Sequence, residues 1–69
     1  MYPNLKAELV RNNILQSQVA ERLNITLGTM SAKMKGTSSF SVREAQEIKA
    51  MLHERGTDVT LDYLFQAKE

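Results

Sequence analysis

Between Leu23 and Leu27 the sequence leaves only Asn24-Ile25-Thr26 to join two helical patterns, and that short joint constrains the fold more than any other feature of the chain. On one side, within Gln16 to Leu23, Val19, Ala20 and Leu23 fall on one helical face; on the other, Met30 and Met34 stand four apart. So short a connection leaves little freedom for an antiparallel pairing, so the two helices are expected to cross steeply. Ala20 is small enough to let them approach, and Ile25 supplies an apolar wedge in the turn. This is the physical content of a helix-turn-helix, in which the first helix braces and the second projects its outer face.

The rest of the chain reads as helices of the same scale. A first helix fits PNLKAELVRNN, with Pro3 in the first turn and Leu5, Leu9 and Val10 as its apolar stripe. Asn12 and Asn13 accept the left-handed conformation that ends helices, and Asn24 is the expected stop of the second. Thr26 is placed to cap a third helix running to about Lys35 and ended by Gly36. After the polar loop GTSSF, closed by Phe40, Ser41 and Glu44 have the S-x-x-E spacing of a capping box. The fourth helix then runs to about Arg55, with Ala45, Ile48 and Leu52 inward and Gly56 past its end. Thr60 can cap a short fifth helix, LDYLF, returning Leu61, Leu64 and Phe65 to the core. No strand pattern, repeat or linker interrupts the series, so the expected architecture is all-α, a compact five-helix domain over residues 1–69.

With 69 residues, of which 42% are hydrophobic, the chain can build one core and no more. It has no cysteine, hence neither a disulfide framework nor a thiolate metal site, which suits a reducing cytoplasm. No apolar run approaches the roughly 20 residues of a membrane span, and MYPNLKAE lacks the layout of a signal peptide, so no membrane association is expected. His53, the one histidine, has no companion ligand and is expected to face solvent. Neither paired carboxylates in a pocket pattern, a Gly-rich phosphate loop nor a nucleophile with a histidine is present, so enzyme activity, a cofactor and a small-molecule ligand are not expected.

The net charge is only +1, but it is unevenly spread. Residues 1–43 carry six basic side chains against two acidic ones, and residues 44–69 carry three against six. The first part could face a polyanion while the second turns away. The major groove of B-DNA, about 12 Å wide, admits one helix and would give the outer face of the third helix a role.

Gln16, Val19-Ala20, Leu23, Ile25-Thr26, Met30-Ser31 and Gly36, followed by Phe40, Ala45, Ile48 and the terminal TLDYLF, resemble in order and spacing the Cro and repressor proteins of lambdoid phages and their XRE-type bacterial relatives. The stretch Ser31-Ala32-Lys33-Met34-Lys35-Gly36 and then Phe40 is most similar to short Cro-like regulators of Gram-positive phages and prophages. Where that family often has glycine this chain has Asn13 and Asn24, and where it often has serine or threonine before the glutamine this chain has Leu15, which cannot cap the second helix.

The resemblance implies a lambda-repressor-like DNA-binding domain, with the helix-turn-helix at about residues 16–35, acting as a sequence-specific transcriptional repressor in the cytoplasm of a bacterial host. It implies a near-palindromic operator on double-stranded DNA, bound by a homodimer at least when on DNA. Leu27, Gly28 and Ala32 would be the base-reading positions, with Thr26, Thr29, Ser31 and Lys33 beside them. Leu27 and Ala32 could pack on thymine methyls, Gly28 would let the backbone come close to the bases, and Lys33 would reach guanine from the flank. Gln16, Lys35, Thr37, Ser38, Ser39 and Arg43 would hold phosphates. Pairing of copies is expected within residues 57–69, around Val59, Tyr63 and Phe65. If the chain is complete, there is no room for an effector domain, and repression by occupancy is the simplest mechanism. Two other readings stay open: the DNA-binding antitoxin of a toxin–antitoxin pair, and an antirepressor-like module that binds protein through the weakly polar third helix.

Overall fold

The computed structural model describes residues 2–66 and is all-helical across them. In chain order the helices are α1 (Pro3–Arg11), α2 (Gln16–Leu23), α3 (Leu27–Lys35), α4 (Val42–Glu54) and α5 (Leu61–Leu64). Three of them start on a side-chain cap: the hydroxyls of Thr26, Ser41 and Thr60 accept the backbone N–H of Thr29, Glu44 and Tyr63, each at 3.1 Å. At Ser41 the box closes, with the Ser41 N–H donating to Glu44 Oε1 at 2.9 Å. Leu15 has no such oxygen. There Gln18 reaches back instead, its Oε1 accepting the Leu15 N–H at 2.8 Å.

α1 to α4 all stop the same way. Asn13, Asn24, Gly36 and Gly56 take positive φ, from 57° to 90°. The next residue's N–H then bonds back to a carbonyl five residues earlier: Ile14 to Leu9, Ile25 to Ala20, Thr37 to Ala32 and Thr57 to Leu52, at 2.8 to 3.0 Å. These bonds satisfy carbonyls that a helix end would otherwise leave open. The asparagines thus do at two ends what glycine does at the other two.

The core is one cluster, with Leu5, Val19, Met30, Ile48, Leu52 and Leu64 fully enclosed and Leu9, Ile14, Ala20, Leu23, Met34 and Met51 nearly so. α2 packs on α3 and α4, while α5 closes the far side against α1 and α4. Ile25 is half-buried against this core, the wedge expected of it. Ala45 and Leu61 are only half-buried. Val10 departs further: it is 68% exposed. It lies five residues after Leu5, roughly 140° around the helix, and so leaves the stripe that Leu5 and Leu9 share. The inward place goes to Glu8, 2% exposed, whose Oε2 accepts hydrogen bonds from Arg11 Nη1 and the Tyr63 hydroxyl, both at 2.9 Å. That hydrogen bond raises the Tyr63 phenol above its ordinary pKa.

Three of the four aromatic rings gather where Tyr2, before α1, and Phe65, after α5, meet the α3–α4 loop. Tyr2, Phe40 and Phe65 stand 5.2 to 5.7 Å apart between centroids, two of the pairs edge-on. Phe40 therefore closes the loop, as its position at the end of GTSSF suggests, but does so against Tyr2 and Phe65, far away along the chain.

Candidate nucleic-acid interface

α3 presents two different surfaces along its length. Its first turn is open: Leu27 is 54% exposed, and Gly28 and Thr29 also face solvent. Thr26 and Thr29 are exposed too, but their hydroxyls bond each other at 2.9 Å while Thr26 caps the helix. Ser31 and Ala32 follow on the same side, half-buried, with Met30 and Met34 directed into the core. A Cβ placed on Gly28 would come no closer than 4.0 Å to any side chain, so the fold itself has room for alanine there.

The far end of α3 is closed off. Lys33 Nζ donates to the Ser39 carbonyl at 2.8 Å and to Glu44 Oε1 at 3.1 Å, and stands 5.7 Å from the Phe40 ring centre. Both side chains of this ion pair are only 12% exposed. The Ser41 N–H holds the Glu44 carboxyl below its ordinary pKa, and Lys33 adds to that against the opposing effect of burial. Lys33 therefore does not extend from the flank of α3, where base contact was expected of it. It is turned back to fasten the loop of Thr37, Ser38 and Ser39 to the start of α4. Those three loop residues and Lys35 remain exposed.

The charge division seen along the sequence also changes in three dimensions. Arg22, on α2, bonds Glu47 at 3.1 Å and Glu54 at 2.8 and 3.0 Å on α4. These contacts, with Glu54 first, hold Arg22 firmly protonated and lower the Glu54 pKa. Lys33 on Glu44 and Arg11 on Glu8 are likewise matched to acids of the same chain. The acidic α4 does not turn away from the basic segment; it faces α2 and α3. Arg43 is different. It is exposed in the first turn of α4 and makes no ion pair among the described residues.

Gln16 begins α2 and lines a small cleft of about 190 Å³ together with Tyr2, Lys6, Ser31, Met34 and Lys35. The fold thus unites three residues of the expected interface, Gln16, Ser31 and Lys35, and adds Lys6 from α1. Nothing in the local sequence around Lys6 marks it, because α1 reaches this cleft only through tertiary packing.

The residues expected to pair two copies are largely engaged within one. Val59 and Phe65 are packed on the chain's own core, and Tyr63 donates to Glu8. Residues 67–69, the last of the expected pairing segment, lie outside the described residues, as does Met1. Among the described residues no group of His, Cys, Asp and Glu could hold a metal ion, and no helix is long and apolar enough to cross a membrane.

No protein-family model, curated protein or solved structure matches the chain.

Proposed function

We propose that this protein is a helix-turn-helix DNA-binding regulator of the Cro-like kind, which sets α3 in the major groove of an operator and represses by occupying it. The observation that carries the reading is the α2–turn–α3 unit: Asn24 in the left-handed conformation, Thr26 capping α3, and an open first turn of Leu27, Gly28 and Thr29 braced from behind by Met30 and Ala20. That open turn has the size and polarity for a groove about 12 Å wide. Leu27 and Ala32 supply apolar contacts for thymine methyls, and Thr29 and Ser31 supply hydroxyls for base edges.

Phosphate contacts fall to Gln16, Lys35, Arg43 and the Thr37–Ser39 loop. Arg43 supports this assignment, because a cation in the first turn of a helix stands against the helix dipole and is unfavourable unless an anion joins it. Lys33 acts as a positioning residue for the loop rather than as a reader of bases. Two copies on a near-palindrome, with recognition helices about 34 Å apart, would supply the affinity that one small domain lacks.

Gly28 tests the reading, since fold and binding pull it in opposite directions. Gly28→Ala is expected to stabilise the free protein by up to about 1 kcal/mol, because glycine is the poorer helix residue and alanine fits. It should weaken binding to operator DNA, where the added methyl meets the bases. Urea denaturation and anisotropy titration measure the two. A stabilised variant that bound DNA as before would remove close backbone approach from the mechanism.

One observation favours a second reading. The open turn carries Leu27 and no charge, a surface that also suits a protein partner. In that case the partner would be another regulator, and affinity for DNA would show no steep dependence on salt.

A further inference from the structure

We propose that Lys6, from α1, joins Gln16 and Lys35 in the cleft beside α3 to hold a single phosphate group, that of a nucleic-acid backbone; the source of the phosphate rests on the DNA-binding reading above. The cleft is lined by lysines from two different helices, by Gln16 and by Ser31, and among the described residues no carboxylate lines it. Its volume of about 190 Å³ falls below the roughly 300–1,000 Å³ of pockets for drug-sized ligands. A tetrahedral oxyanion is of a size for that space, and Lys6 is the cation that the proposal adds to it.

The walls strengthen the attraction. Met34 is 7% exposed, and the Tyr2 ring is fixed by Phe40 and Phe65, so one side of the cleft is apolar and poorly screened. Gln16 is the first residue of α2, so the positive end of that helix opens on the same space. Lys6 also differs from its neighbours in charge. Arg11, Arg22 and Lys33 each have a glutamate partner, whereas Lys6 is exposed and has no ion pair among the described residues. A cation kept beside a cleft without an internal acid is suited to an anion from outside.

Two measurements on the intact chain test this. In the first, the ¹⁵N-labelled protein is titrated with inorganic phosphate. Saturable shifts are expected at Lys6, Gln16, Ser31 and Lys35, and Lys6→Gln should abolish most of the response while Lys49→Gln leaves it intact. In the second, affinity for duplex DNA is followed against salt. Lys6→Gln should lower the slope of log affinity on log salt by about one, the loss of one phosphate contact, and Lys6→Arg should restore it. If Arg43→Gln lowers the slope and Lys6→Gln does not, the cleft proposal is overturned and the DNA reading stands. If the wild type shows no salt-dependent DNA affinity, the nucleic-acid source is overturned. The phosphate titration then decides the rest: shifts confined to the cleft support a site for free phosphate, and a flat titration overturns the site itself.

Discussion

At its N-terminal end α3 offers Leu27, Gly28 and Thr29 to solvent, held only by the Thr26 cap, whereas at its C-terminal end Lys33 is drawn inward onto Glu44, Ser39 and Phe40. The same nine-residue helix therefore has one end free to meet a partner and one end fastened to the next helix. The contrast separates two tasks that a row of polar residues in a sequence does not distinguish. Lys33, on the expected binding helix, holds a loop, and the residues of α3 proposed to read bases carry no charge.

The largest test of this contrast strikes what both ends share. Met30 is fully buried beneath α3, and Met30→Ala is expected to cost about 2–5 kcal/mol in urea denaturation. A domain of this size holds a total stability on the order of 3–10 kcal/mol, so both ends of α3 would lose their seat together. A cost under about 1 kcal/mol would mean that α3 is not anchored through its core face.

Lys33→Met should have the next largest effect. It keeps an unbranched apolar side chain but removes the ammonium beside Phe40 and its charged hydrogen bond to a nearly buried acid, at a cost of about 1–3 kcal/mol. If Lys33 positions the loop, the variant should weaken DNA binding for all sequences alike, as phosphate contacts from Thr37 to Ser39 loosen. A change of base preference would instead make Lys33 a reader and remove the contrast between the two ends.

The smallest effect is one of pH. The Glu44 carboxyl lies below its ordinary pKa in the folded state, so its contribution is present above the unfolded value of about 4.3 and is lost as pH falls through the folded one. Glu44→Gln should melt below the wild type at pH 7, and the gap should close in acid. A gap that persists unchanged in acid would show that the ionised Glu44 does not hold this junction.

Much of this fold was legible in the sequence because its boundaries are local chemistry. Thr26, Ser41 and Thr60 cap within three residues, and Asn13, Asn24, Gly36 and Gly56 end helices through their own backbone preferences. Met30 and Met34 followed from helical spacing. Less legible are the side chains whose partners lie far along the chain. Arg22 meets Glu47 and Glu54, and Lys33 meets Glu44, only once α4 is packed, so a linear count of charge does not show these pairs. Val10 was placed in the stripe by its hydrophobicity, but Glu8 took the inward position through a hydrogen bond to Tyr63, 55 residues away. Lys6 belongs to the same class, since its cleft exists only where α1, α2 and α3 meet.

The most direct test of α3 as a DNA-reading helix is selection from a random duplex library, followed by titration of the selected site at two salt concentrations. The account predicts a near-palindrome with half-sites about one turn, 34 Å, apart, bound well above random DNA and weakened steeply by salt. No enriched sequence, with weak binding even at low salt, would contradict it and make the open turn of Leu27, Gly28 and Thr29 a surface for another protein.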